Sequence, residues 1–171
     1  MKNSIIGHSP QAGRATQRTT SVLSTTAEYA LRALISLAHE PDRATLGRDL
    51  AASSGVPANY LSKILLDLKK AGFVQAVRGT GGGYRLGRPA GEVHLMEVVE
   101  FVDGAAARPG CFLAGSDACS DEDPCMAHES WAVVRDQYVA FLESTTLEDV
   151  CEHPFRHRLL KTTDSESSPH E

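Results

Sequence analysis

Between Thr45 and Leu86 the apolar residues change period once, and that change constrains the fold more than anything else in the chain. Leu46, Leu50 and Ala51, then Leu61, Ile64, Leu65 and Leu68, recur at helical spacing. Such spacing lines one face of a helix. Ser53-Ser54-Gly55 breaks the first stripe, and Thr45 is the expected cap before it. Pro57 is expected to open the second helix, where its missing N–H costs little. Gly72 stops that helix. From Phe73 to Arg78 the pattern alternates, Gly79-Thr80-Gly81-Gly82-Gly83 forms a flexible tip, and Tyr84-Arg85-Leu86 returns as a second strand. Two helices joined by a short glycine-containing turn, followed at once by a hairpin, predict a helix-turn-helix with a β wing.

Further helices are predicted on either side. Ser24, Thr25 or Thr26 can cap an opening helix with a stripe at Ala27, Ala30, Leu31, Leu34, Ile35 and Ala38, ended by Pro41. A fourth helix is expected over Leu95–Val102. A long one is expected from Met126 to Glu143, where Ala127, Trp131, Val134, Tyr138 and Phe141 repeat at spacings of 4, 3, 4 and 3. That repeat resembles a coiled-coil seam suited to a symmetric partner. Thr145 or Thr146 can cap a last short turn. The fold class is therefore mainly α with a small β-hairpin wing: a winged helix-turn-helix plus a long C-terminal dimerisation helix. Its parts divide as 1–20 (disordered tail), 21–103 (winged domain), 104–125 (ligand loop), 126–152 (dimerisation helix and terminal turn) and 153–171 (disordered tail).

Net charge is −5, which argues against nucleic acid until its distribution is considered. Thr45–Ala90 holds seven basic residues against two acidic, a balance of +5, while the rest holds 10 basic against 20 acidic, or −10. A basic module on an acidic body suits phosphate binding. Hydrophobic residues make up 42%, which excludes a disordered chain. No apolar run approaches the roughly 20 residues of a membrane helix, and no secretory leader is visible, so a cytoplasmic location is expected.

Base reading needs a helix with its first side chains exposed and its other face buried. Asn59, Tyr60, Ser62 and Lys63 occupy that position in the third helix. In the wing, Arg78 and Arg85 can reach phosphates, and Gly79, Gly81 and Gly82 permit close backbone approach. No helix follows the glycines, so a nucleotide-phosphate loop is excluded.

Four cysteines are present, three of them in the motif Cys111-x7-Cys119-x5-Cys125-x2-His128. Three thiols and one imidazole within 18 residues can close on one metal centre. The short cysteine pairs typical of structural zinc are missing. Wider spacing suits an iron–sulfur cluster, and Asp117, Asp121, Glu122 and Asp123 add negative charge that a cation would offset. Cys151 reads as a packing thiol.

With these motifs identified, the segment from Leu23 to about Val150 resembles the family of winged-helix iron–sulfur regulators that includes IscR and NsrR. The resemblance is carried by Thr26-Ala-Glu-Tyr-Ala-Leu-Arg-Ala-Leu34, by Tyr60-Leu-Ser-Lys-Ile-Leu65, by Leu68-Lys-Lys-Ala-Gly72 and by Val77-Arg-Gly-Thr-Gly-Gly-Gly-Tyr84. It implies a homodimer on a palindromic double-stranded DNA operator. It also implies a cluster held by Cys111, Cys119, Cys125 and a fourth ligand, and DNA binding that depends on cluster state. His128 as fourth ligand implies [2Fe–2S], the favoured form. Glu28, donated by the other subunit, is the alternative and would favour [4Fe–4S].

Three functions remain open on sequence: a cluster-gated regulator, probed by iron–sulfur status, redox or nitric oxide; a cluster-free thiol–disulfide switch; and an iron–sulfur electron-transfer or assembly protein. No general base or substrate pocket points to an enzyme.

Overall fold

A computed structural model describes residues 22–107, 109–111, 113 and 119–152. Both expected tails, and Asp117 of the acidic loop, lie outside the described residues.

Helix α1 (Thr25–Ala38) starts where Ser24 Oγ accepts the Ala27 amide at 3.0 Å. The Ser24 hydroxyl also donates to Asp103 Oδ1 at 2.5 Å, tying the start of α1 to the end of the later helix Leu95–Asp103. α1 is the centre of the molecule: Ala27, Ala30, Leu31, Ala33, Leu34 and Leu37 are buried, and four of the later helices pack around it. The helix-turn-helix follows as α2 (Gly47–Ser54) and α3 (Ala58–Lys70). Gly55 joins them in the left-handed conformation at φ 66°, which a side chain would resist. Leu50, Val56, Leu61, Ile64, Leu65 and Leu68 bury the inner faces. Each such side chain contributes about 1.5–3 kcal/mol over exposure.

Two caps differ from the sequence expectation. Pro57 sits one place earlier, at the N-cap of α3, with Ala58 the first helical residue. Leu46, not Thr45, precedes α2, and it makes no side-chain cap bond. Thr45 is instead taken by the wing: its N–H and C=O both bond Tyr84 at 2.8 Å. α3 closes through Gly72, where the Phe73 amide reaches Leu68 O at 3.0 Å and the Gly72 amide reaches Lys69 O at 3.2 Å. This double closure, with Phe73 and Leu68 both buried, sets the direction of the strand that follows.

The wing is an antiparallel pair, β1 (Val74–Val77) and β2 (Gly83–Leu86), in the register Val74↔Leu86 to Val77↔Gly83. After a 3₁₀ turn at Ala90–Glu92 comes α4 (Leu95–Asp103), then a second 3₁₀ turn at Gly104–Ala107. The long helix α5 (His128–Ser144) begins two residues later than expected, with Ala127 as its N-cap. Helix α6 (Leu147–Glu152) starts at a Thr146 cap, whose Oγ1 accepts the Asp149 amide at 3.2 Å. Leu95 N–H bonds Thr145 O at 2.9 Å and Leu147 N–H bonds Val93 O at 3.0 Å. With Leu142 and Leu147 buried in the same core, these bonds fix the far end of α5 to the winged domain.

The five predicted seam residues do not share one uncovered face. Tyr138 packs inward against the core. Burial and then the neighbouring Asp103 charge push its phenol pKa up. Trp131 turns toward the cysteine loop, Ala127 precedes the helix, and Val134 and Phe141 face outward, each 54% exposed. Among the described residues no helix is long and apolar enough to cross a membrane.

Candidate metal centre and nucleic-acid face

The loop between α4 and α5 returns three cysteines to one place. The Sγ atoms of Cys111, Cys119 and Cys125 all lie within 4.8 Å of one another, and Cys111 and Cys125 approach to 3.4 Å. Two features hold the loop. The Trp131 indole N–H donates to Gly110 O at 2.6 Å, pinning the residue before Cys111 to the first turn of α5. The His128 amide bonds Cys125 O at 2.9 Å, joining the third cysteine to the helix start. Trp131 is the chain's single tryptophan, and its role here was hidden by its fit to the seam spacing.

His128 places its two ring nitrogens on different partners. Nδ1 lies 3.2 Å from Cys119 Sγ, and Nε2 lies 3.0 Å from Asp121 Oδ1. Gly110, Cys111, Cys119, His128, Trp131 and Arg135 line a cavity of about 170 Å³. The Cys125 amide donating to Cys119 Sγ favours the thiolate, but burial and the Cys125 and Cys111 thiols outweigh it, and the Cys119 pKa is raised. Crowded thiols resist ionisation because each new charge repels the next. A metal removes that penalty by taking the proton's place. Three converging soft sulfurs, with the His128 imidazole beside Cys119, therefore fit an iron–sulfur or similar thiolate-bound centre.

Glu28 is elsewhere. It lies in the first turn of α1 and pairs with Arg32 at 2.6 Å. Cys151 is half-buried on α6, its Sγ 3.8 Å from Ile35 O, and its pKa is pushed up by burial and by Glu148 and Glu152. It packs against Ile35 of α1.

On α3 the face opposite the core carries Asn59, Tyr60, Ser62 and Lys63, all exposed. Tyr60 is braced by an edge-on contact with Tyr29 at 6.1 Å, and Ser62 Oγ bonds Ala58 O at 2.9 Å. Leu66, 55% exposed, lies on this face one turn past Ser62, a position the sequence reading passed over. Arg78 and Arg85 are exposed on the wing, and Arg85 Nη2 donates to Gln75 Oε1 at 3.2 Å. Gly79 and Gly81 hold the wing tip at φ 96° and 81° in open space. Gly82 is buried, its amide bonding Gly79 O at 2.9 Å. One cation of the basic balance is committed to structure: Arg88 pairs with Glu97, bonds Glu92 O at 3.1 Å and lies over the Phe73 ring at 5.2 Å.

The model of the Rrf2 family, described as "Iron-dependent Transcriptional regulator", matches residues 23–153. A Rhodobacter capsulatus rrf2-like HTH-type transcriptional regulator is 38% identical, over 72% of this chain and 87% of its own length. The HTH-type transcriptional regulator IscR of Xenorhabdus nematophila is 33% identical, over 75% of this chain and 77% of its own. Among solved structures, CymR, the global cysteine regulator of B. subtilis, superposes with a TM-score of 0.63 at 30% identity, covering 75% of this chain and 95% of that one. T. potens IscR gives 0.58 at 26% identity, covering 74% and 83%. The chain thus belongs to the Rrf2 family and is a winged-helix transcription regulator, not an enzyme.

Proposed function

We propose that this regulator acts in the cytoplasm as a homodimer on a palindromic operator, and that an iron–sulfur cluster held by Cys111, Cys119, Cys125 and His128 controls its grip on DNA. The observation that carries this reading is the convergence of three Sγ atoms within 4.8 Å, with an imidazole nitrogen 3.2 Å from one of them. His128 as fourth ligand favours [2Fe–2S]. Glu28, already paired with Arg32 on its own helix, is the less favoured donor and would suit [4Fe–4S]. Bound there, such a cluster supplies a centre that responds to iron supply, oxidants and nitric oxide.

The chain's own residues convert that into DNA binding. Held together, the three cysteines fasten the loop to the start of α5 through Gly110, Trp131 and His128. Released, the three thiols no longer share a centre, and the loop is left to the Trp131–Gly110 and His128–Cys125 hydrogen bonds alone. Val134 and Phe141, the outward seam positions, make α5 the contact with a second subunit, while Tyr138 and Trp131 hold the same helix to its own core and loop. Two-fold symmetry then sets two α3 helices into major grooves about one helical turn apart, roughly 34 Å. Asn59 suits adenine, Lys63 and Ser62 suit base edges or phosphate, and Tyr60 suits the backbone. Arg78 and Arg85 carry the wing to the neighbouring groove, with Gly79, Gly81 and Gly82 shaping its tip.

The test is anaerobic isolation, with iron and acid-labile sulfide assayed alongside absorption and Mössbauer spectra. The native protein is compared with Cys111→Ala, Cys119→Ala, Cys125→Ala, His128→Ala and Glu28→Ala variants. Operator binding is then measured on loaded and unloaded protein. Equal affinity and equal site choice in both forms would refute cluster control. A second reading rests on the 3.4 Å approach of Cys111 and Cys125 Sγ: a cluster-free thiol–disulfide switch. Protein that stays colourless and free of iron and sulfide after reconstitution supports that reading.

A further inference from the structure

Among the acidic residues of the cysteine loop, one is aimed differently from a general counter-charge. Asp121 Oδ1 lies 3.0 Å from His128 Nε2, although the aspartate is otherwise 91% exposed. The opposite ring nitrogen, Nδ1, lies 3.2 Å from Cys119 Sγ. A neutral imidazole has one N–H and one lone pair, and the partner of the N–H decides which nitrogen is left to coordinate. A carboxylate cannot donate, so the nitrogen facing Asp121 must carry the proton. The lone pair then sits on Nδ1, on the side of Cys119. Metal-bound histidines are commonly oriented in this way by a carboxylate on the far nitrogen.

We infer that Asp121 is the positioning residue of the cysteine site: it fixes the His128 tautomer and ring orientation so that His128 coordinates through Nδ1. This deepens the cluster reading and rests on it. Among the described residues no other acid of the loop reaches the ring. Asp123 is engaged with Ser120 through its own backbone, its amide meeting Ser120 Oγ at 3.1 Å. The coupling also explains why the ligand lies on the first turn of α5 while its orienting partner lies in the loop. Coordination by His128 then requires loop and helix to be in register.

The test compares native protein with Asp121→Asn, Asp121→Glu, His128→Ala and the Asp121→Asn/His128→Ala double variant. Three readouts are used: the nitrogen coupling of the reduced centre in pulsed EPR, the rate of iron loss to a chelator, and the His128 ring-nitrogen pattern of apo protein in 1H–15N NMR. Asp121→Asn is expected to lose iron faster, by on the order of 10- to 100-fold. It should also weaken or change the nitrogen coupling and mix the apo tautomers. Asp121→Glu should restore most of each. In the His128→Ala background the Asn substitution should add little to iron loss. An Asp121→Asn protein matching native in all three readouts overturns the inference. An equal penalty with and without His128 also overturns it, because Asp121 would then act on the loop alone. Native protein that binds no iron or sulfide overturns the cluster reading itself, and with it the inference. That outcome is recognised separately, because it appears before any variant is compared.

Discussion

Replacing Gly83 with alanine tests whether the wing is held from beneath by the chain rather than by the DNA it faces. A Cβ at this position would lie 2.4 Å from Thr45 O and 2.6 Å from Thr45 C, and the residue's φ is +150°. The obstruction is backbone, so no side chain can swing away. Relief requires β2 to separate from Thr45, which breaks the two 2.8 Å bonds between Thr45 and Tyr84. Each bond contributes about 1 kcal/mol net. Forcing a side chain into this backbone region costs about 1–3 kcal/mol more. The loss is therefore roughly 3–5 kcal/mol, or a Tm drop of roughly 6–20 °C for a chain of this size. The assay is thermal unfolding by circular dichroism, with Gly81→Ala as control. Gly81 is also left-handed, at φ 81°, but has nothing within 4 Å of the added carbon. It should lose only the conformational part, about 1 kcal/mol. Equal melting shifts for the two variants would refute the argument, because conformational strain alone would then account for both.

Three other outcomes follow from the geometry. Lys63→Ala and Arg78→Ala should weaken operator binding evenly across sequences and each reduce the salt slope by about 1, whereas Asn59→Ala should cost about 1–3 kcal/mol at one base position; anisotropy titrations at several salt concentrations separate the two patterns. Leu142→Ala, at 2% exposure, should lower stability by about 2–5 kcal/mol in urea unfolding and release α5 from the core. Burial raises the Glu97 pKa, but the Arg88 hydrogen bond, the His94 amide and both charges outweigh it, so its folded pKa lies below the ordinary 4.5. Its contribution is thus complete above that ordinary value and lost as pH falls through the lower folded one. A Glu97→Gln variant should show a flatter stability curve across that acidic window than native protein does.

The winged domain was legible in sequence because each of its elements satisfies a local rule. The stripe from Leu61 to Leu68 needs one buried face, Gly72 needs a left-handed turn, and the short segment after it runs into a cluster of glycines that marks a hairpin tip. Legibility failed where a residue serves an element far away in the chain. Thr45 looks like a helix cap, yet its backbone is spent on Tyr84, and no local pattern announces that pairing. Arg88 counts toward a basic face by composition but is held by Glu97 and Phe73. Trp131 and Tyr138 fit a coiled-coil period because any helix that covers a core with part of its length repeats at threes and fours. The period does not say whether the neighbour is the chain itself, its own loop or a second copy. The cysteine motif was readable as a donor set, since thiols and an imidazole have few other reasons to cluster. The orientation of His128 was not readable, because it depends on Asp121 seven residues earlier in a loop with no period.

The proposed sensing site and the DNA face belong to one chain of supports, and its links are specific. His128 and Trp131 stand at the start of α5. Roughly 20 Å along the axis, at about 1.5 Å per residue, Leu142 is sunk in the core. The pairing of residues 93–95 with 145–147 fixes that end to the start of α4. The other end of α4 is joined through Asp103 to Ser24 at the start of α1. One turn into α1, Tyr29 meets Tyr60 on α3. Each helix on this path is fastened near its ends, so a displacement of α5 passes on as rotation of whole helices rather than local bending. Well-packed elements of that kind switch between discrete arrangements, and coupling requires two such states. Tyr29→Leu keeps an apolar contact on α1 but removes the ring that braces Tyr60. It should leave iron content and fold unchanged while narrowing the difference in operator affinity between loaded and unloaded protein. An undiminished difference would move the coupling off this intrachain route and onto the contact between the two α5 helices.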